Sequence, residues 1–140
     1  MASISSFMLC DSSQNLPNGQ GGFVQQLTGP VTTVRPQFIP GNYSFSVSVG
    51  VIGVDMQKEN SMRFVLKEPS GKVLNDLDEA PLPVAGPDNK LPKEYGGFVA
   101  CIDFRNAVIQ EEGVYSLEVY VNSELIGTKN IPVYGRSVGL

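Results

Sequence analysis

The chain has 140 residues, of which 41% are hydrophobic and only 17% are charged, together with 15 glycines and 10 prolines. That length and hydrophobic content suit one domain over residues 1–140 with a single core, and they leave too little chain for two. The net charge is −4, whereas proteins that bind phosphate groups normally present a basic surface. Nucleic acid and anionic membrane are therefore not expected as partners.

Strands are predicted wherever apolar and polar residues alternate with period two, because side chains alternate across a sheet. Serines and charged residues occupy the intervening positions of these segments. Shorter strands are expected near Ile4–Cys10 and Phe23–Leu27, and at best an edge strand within the proline-cut segment Val31–Ile39. The clearest alternating segments, in chain order, are Tyr43–Val51, Met62–Leu66, Phe98–Phe104 and Tyr115–Val121.

Turn-forming residues separate these predicted strands. Glu68-Pro69-Ser70-Gly71 has proline and glycine where a β-turn favours them, and Asn122-Ser123 suits a short hairpin loop. The polar stretch Asp11 to Gln20 is interpreted as the break between the first two strands. Only Asn106–Glu112 is assigned a helical turn. About seven to nine short antiparallel strands result, which predicts an all-β, single-domain sandwich.

The segment Glu111 to Leu117 resembles the tyrosine corner of immunoglobulin-like sandwiches. Gly113 precedes Tyr115 at the start of a strand, and in such corners the phenol hydroxyl bonds to upstream backbone. Leu117 stands where those domains often carry a cysteine, and the chain has no tryptophan. The resemblance implies an immunoglobulin-like β-sandwich without its usual disulfide.

The chain is also similar to a family of small bacterial proteins with no assigned function and a single β-sandwich domain. The likeness lies in a short cysteine-containing first strand, in Arg35-Pro36-Gln37-Phe38, in Gly113-x-Tyr115 and in Ile131-Pro132-Val133. It implies a fold and a cytoplasmic location. It supplies no active-site residue.

The two cysteines, Cys10 and Cys101, are far apart in sequence and lie in apolar runs, so buried free thiols are preferred over a disulfide. The first ten residues have no basic region and an apolar stretch interrupted by serines, unlike a signal peptide. A cytoplasmic location is therefore expected.

No catalytic, metal or cofactor site is predicted. The chain has no histidine, so the usual general base and the commonest zinc ligand are missing, and no phosphate-cradling glycine loop is present. Carboxylates could still act as acid and base or bind calcium, and the densest groups are Asp76-Leu77-Asp78-Glu79 and the pair Asp55 and Glu59. Solvated loops are the preferred interpretation of both groups.

One segment departs from the strand rhythm. Residues 80–97 are rich in proline and lack periodicity, which predicts a long exposed loop. Extended proline-rich chain can dock on a partner, so Pro81, Pro83, Pro87 and Tyr95 are the candidate interaction residues. The alternative is a plain connection between the sheets.

These observations favour a non-catalytic cytoplasmic interaction module with an unidentified protein partner. The first alternative is a structural component of a phage-like or other assembly, and the least favoured is an enzyme that uses carboxylates. The sequence specifies neither the partner nor the oligomeric state, because function on such a scaffold lies in individual loops and surfaces.

Overall fold

Eight β-strands account for most of the residues that the structure describes. The computed structural model describes residues 2–19, 23–84 and 91–136. The strands are β1 (Ser3–Pro17), β2 (Phe23–Val31), β3 (Gly41–Ile52), β4 (Asn60–Lys67), β5 (Val73–Leu82), β6 (Gly97–Ile109), β7 (Gly113–Val121) and β8 (Glu124–Val133).

The strands form two antiparallel sheets of four. Sheet A has the order β2-β1-β3-β6, and sheet B has the order β5-β4-β7-β8. The set β1-β3-β6 facing β4-β7-β8 is the arrangement of strands A-B-E and C-F-G in immunoglobulin-like sandwiches. The prediction of an all-β, immunoglobulin-like sandwich is thus confirmed, with β2 and β5 as additional edge strands.

The core fills the space between the two sheets. Inward-facing residues alternate with outward-facing ones along β3 and β7, the inner strands, and Val47, Val49, Leu117 and Val119 are 0% exposed. Burying an aliphatic side chain of this size contributes roughly 1.5–3 kcal/mol relative to leaving it exposed. The alternation seen in sequence therefore corresponds to the core-facing side of each sheet, and on β3 the outward-facing Ser46 and Ser48 are buried as well.

The corner between β6 and β7 is fixed by Tyr115. Its side chain is 1% exposed, and its hydroxyl donates a hydrogen bond to the Glu111 carbonyl oxygen at 2.8 Å. Gly113 has φ +140° and lies against Pro69, where a Cβ would come within 2.8 Å of the Pro69 Cγ. The predicted tyrosine corner is confirmed, and glycine is needed beside it for both backbone and space.

We expect Tyr115→Phe to lower the free energy of unfolding by about 1 kcal/mol, the net contribution of one hydrogen bond. Urea denaturation measures this change. Tyr95→Phe is the matched control, because Tyr95 is 59% exposed and its loss of a hydroxyl should have no measurable effect. Equal effects of the two substitutions would contradict the role of the corner.

The prediction that the first strand ends near Cys10 is wrong. β1 continues to Pro17, and residues 12–17 pair with residues 23–28 of β2 as a two-stranded ribbon. None of the described side chains of this ribbon is buried, and half of its twelve residues are serine, glutamine or asparagine. Periodicity of hydrophobic residues therefore did not reveal the β1 half of the ribbon, whereas the β2 half coincides with the strand predicted near Phe23–Leu27.

The ribbon covers the outer face of sheet A. The Ser13 hydroxyl donates a hydrogen bond to Asp103 Oδ1 on β6 at 3.1 Å, and the Gln25 amide donates one to the Val99 carbonyl at 3.1 Å. Beneath the ribbon, Ser46 and Ser48 of β3 are only 3% and 8% exposed. The molecule therefore has a third, polar layer outside sheet A.

Asp103 is the acidic group of this layer. The Ser46 hydroxyl also donates a short hydrogen bond to it, and these bonds hold the pKa of Asp103 below its usual value of 3.8. A carboxyl with a lowered pKa in the folded state stabilises the protein when ionised. That contribution is present above pH 3.8 and is lost as the pH falls through the lowered pKa.

We expect Asp103→Asn to lower the urea denaturation midpoint at pH 7, and the difference from wild type to shrink progressively below pH 3.8. Denaturation curves at several pH values measure it. Asp78→Asn on β5 removes an exposed acid and serves as the control. A deficit that stays constant from neutral to acid pH would contradict the assignment.

The two cysteines are free, as predicted, but differ in accessibility. Cys10 is 0% exposed, whereas Cys101 is half-buried and donates a hydrogen bond to Gln25 Oε1 at 3.0 Å. β3 lies between them, since Cys10 pairs with Ser46 and Cys101 with Ser48. Two strand spacings are roughly 9–10 Å, which exceeds the about 7 Å that a disulfide spans.

We expect a thiol reagent to modify Cys101 of the native protein much faster than Cys10. Burial raises the pKa of the Cys10 thiol and excludes reagent from it. Cys101→Ser should therefore remove the fast reaction, and Cys10→Ser should preserve it. Fast native labelling of the Cys101→Ser variant would show that Cys10 is accessible.

The helical turn predicted at Asn106–Glu112 is wrong, because β6 extends to Ile109. A bulge opposite Ser44 places Asn106 at φ 52°, and the Asn106 N–H donates to the Ser44 hydroxyl at 2.9 Å. The bulge shifts the buried positions from Phe104 to Ala107, a spacing of three that imitates a helix. The helical structure in the described ranges is a 3₁₀ turn at Lys93–Tyr95, and no helix there is long and apolar enough to span a bilayer.

The proline-rich loop is shorter than predicted. Residues 80–82 belong to β5, where Ala80 pairs with Met62 and Leu82 is 8% exposed. Leu82 therefore packs into the fold and is not part of an exposed connection. The segment Val31–Ile39 contains no complete strand beyond the end of β2: Val34 alone forms a parallel bridge to Val133 as the chain crosses to sheet B.

Candidate binding groove at one end of sheet B

A groove of about 670 Å³ lies at one end of sheet B. Three strand ends meet there, because β4 begins at Asn60 opposite Leu82 at the end of β5, and β7 ends beside them at Val121. Its volume is within the range of sites that hold small ligands or short peptide segments. This end groove is lined by Glu59, Asn60, Ser61, Glu79, Pro81, Leu82, Val84 and Asn122.

The turn between β7 and β8 places an amide in the end groove. Asn122 and Ser123 have φ 52° and 64°, the positive pair that a two-residue hairpin turn requires, which confirms the predicted hairpin. Asn122 Oδ1 accepts a hydrogen bond from the Ser61 N–H at 3.0 Å, and its Nδ2 donates to Asn60 Oδ1 at 2.9 Å. The orientation of the Asn122 side chain is thereby fixed before any ligand arrives.

Asn60 is held from the other side. Its Nδ2 donates hydrogen bonds to the carbonyl oxygens of Asp55 at 2.8 Å and Lys58 at 3.0 Å. These bonds tie the start of β4 to the turn that follows β3. Both amides of the end groove are therefore part of a connected network, which favours a preorganised floor.

Glu79 supplies the negative charge of the end groove. Its Oε1 accepts hydrogen bonds from the hydroxyls of Ser61 and Ser123, the latter at 3.0 Å. These two bonds lower the pKa of Glu79 from its usual 4.5, so the carboxylate is ionised at neutral pH. Among the described residues, the groove lining includes Glu59 as a second acid and contains no lysine or arginine.

The apolar part of the end groove comes from the proline-rich segment. Pro81 is exposed and pairs with Ser61, and Val84 is 56% exposed. Of the four candidate interaction residues, Pro81 lines the groove, and exposed Pro83 lies two residues further along the chain. Pro87 lies outside the described residues.

Tyr95 is not part of the groove lining. It lies on the 3₁₀ turn before β6 and is 59% exposed. The structure thus joins one of the sequence candidates, Pro81, to residues that the sequence did not single out. The sequence indicated no function for Asn60 or Ser61, and it identified Asn122 only as a turn residue.

Two acidic residues of β5, Asp76 and Glu79, have lowered pKa values. Asp76 accepts two hydrogen bonds from the Arg63 guanidinium, at 3.0 and 2.6 Å, and these lower its pKa. The pKa of Glu79 is lowered as well, whereas a general acid needs a raised pKa. Within residues 2–19, 23–84 and 91–136, no three histidine, cysteine, aspartate or glutamate side chains converge as a metal site.

Comparison with known proteins finds similar solved structures at low sequence identity. No family model matches the chain, and no curated protein matches it. It is similar to an immunoglobulin-like protein from Pseudomonas aeruginosa, with 13% identity over 95% of this chain and 96% of that one and a TM-score of 0.47. It is also similar to a beta-glucosidase from Listeria innocua, with 11% identity over 95% of this chain but 16% of that one and a TM-score of 0.49.

Proposed function

We propose that the protein is a non-catalytic binding module that holds a segment of a partner protein in the end groove. One observation carries the proposal: the ionised Glu79 carboxylate and the fixed amides of Asn60 and Asn122 converge beside exposed Pro81 and Val84. Polar groups that are fixed in advance beside apolar surface are typical of binding sites.

The chemistry of the groove favours an extended, basic segment. A lysine or arginine side chain would form charge-assisted hydrogen bonds with Glu79. The aliphatic part of the same side chain could pack on Pro81 and Val84, and the two asparagine amides could bond to the backbone of the segment. The chain's net charge of −4 would add long-range attraction for such a partner.

A second candidate function is a structural component of a phage-like or other assembly. It requires a surface through which copies associate. The observation that favours it is the uncharged outer edge of β2, an edge strand of sheet A. Both functions are proposed for a reducing compartment such as the cytoplasm, since Cys10 and Cys101 are free and too far apart to be joined.

Site-specific photo-crosslinking tests the groove. A photoreactive residue at Val84 should capture a discrete partner from an extract of the native host, and one at Val114 should not. Both valines are exposed, at 56% and 45%, but Val114 lies at the opposite end of β7 from Asn122. Comparing capture at Val84 with capture at Val114 therefore controls for non-specific crosslinking of exposed residues.

Glu79→Gln in the Val84 crosslinking variant should reduce capture roughly tenfold, the effect of losing one charge-assisted hydrogen bond. Asp78→Asn is the matched control, because it removes a neighbouring acid that is not part of the groove lining. Equal capture at Val84 and Val114, or capture that ignores Glu79→Gln, would contradict the proposal.

A further inference from the structure

The outer edge of β2 differs from the other three sheet edges. β2 pairs with β1 on one side and is an edge strand of sheet A, and no strand of the described residues is hydrogen-bonded to its other side. Between Val24 and Thr28 it contains no charged residue, proline or glycine, and its ladder with residues 12–17 has no bulge. An edge of this kind is a template for pairing with another strand.

The other edge strands carry the features that block such pairing. β5, β6 and β8 each contain at least two charged residues, and each has a bulge in its ladder. Charges and bulges on edges prevent unwanted sheet extension. The charged residues are Asp76, Asp78 and Glu79 on β5, Asp103 and Arg105 on β6, and Glu124 and Lys129 on β8.

Charge distribution indicates which strand could pair there. The chain has 10 basic and 14 acidic residues, yet Asp11 is the sole charged residue between Met1 and Val34. Copies of a chain with net charge −4 repel one another over most of their surface. A contact between two β2 edges would avoid that repulsion, because neither contributes a charge.

We propose that the outer edge of β2 pairs with the same edge of a second copy of this chain. The pairing is antiparallel about a two-fold axis perpendicular to the sheet, so side chains of the same face lie opposite one another. With Gln25 on the axis, Val24 faces Gln26 of the second copy; with Gln26 on the axis, Val24 faces Thr28. Either register joins the ribbons of the two copies into one continuous four-stranded layer.

The geometry also limits the assembly. A two-fold contact uses the same edge of both copies, so the dimer is closed and does not extend into a fibre. The paired stretch is short, and Gly29-Pro30 interrupts it at one end. Small interfaces belong to weak, reversible associations, so the dimer should depend on protein concentration.

Sedimentation equilibrium of the full chain over a range of concentrations tests the proposal. Wild type should pass from monomer to dimer without larger species. Val24→Lys/Gln26→Lys should weaken dimerisation by roughly tenfold or more, because like charges then lie directly opposite in either register. Val24 is 52% exposed, and Gln26 is exposed as well, so the fold should tolerate both lysines.

The matched control is Val73→Lys/Val108→Lys. These valines are both 47% exposed and lie on β5 and β6, so the control adds the same charge at other edges. It should dimerise like wild type. Hydrogen exchange adds a second readout: amides of residues 24–28 should gain protection as the wild-type concentration rises, and those of β5 should not.

Three results with the purified protein would overturn the proposal. They are a monomer at all concentrations, a dimer that the β2 lysines leave unchanged, and a dimer that the control lysines weaken as much. Protection of residues 24–28 that appears only in host extract would also overturn it, since it would assign the edge to a different protein.

Discussion

The core between the two sheets, to which β3 and β7 both contribute, is the packing on which the remaining structure depends. Both are inner strands, and their inward side chains, among them Val49 and Leu117, are completely buried. A slip of one residue in β3 would exchange its buried valines for serines, so this core fixes the register of both sheets. The position of every strand end follows from that register, including the ends that form the end groove.

The sequence predicted those strands that have one apolar and one polar face. Alternation located β3, β4, β6 and β7, and the Gly113-x-Tyr115 pattern located the corner that the Tyr115 hydroxyl closes. The prediction was wrong where the structure does not follow hydrophobic alternation. A bulge changed the spacing around Asn106, and the ribbon owes its place to hydrogen bonds from Ser13 and Gln25 that leave no hydrophobic period.

The end groove illustrates why site prediction from sequence was partial. Pro81 was visible because proline has a local conformational signature. Asn60 and Asn122 became neighbours only through the pairing of β4 with β7, and their significance lies in one shared hydrogen bond at 2.9 Å. Glu79 was seen as one acid in a cluster, whereas two serine hydroxyls distinguish it from Asp76 and Asp78.

The nearly charge-free first quarter of the chain has a consequence for the effect of ionic strength. Salt screens exposed charges over a Debye length of about 10 Å at 0.1 M, so a basic segment should leave the acidic end groove more readily as salt rises. Pairing of two uncharged β2 edges loses nothing by screening, and the mutual repulsion of copies with net charge −4 becomes weaker. One molecule would thus carry two surfaces whose occupancies respond to salt in opposite directions.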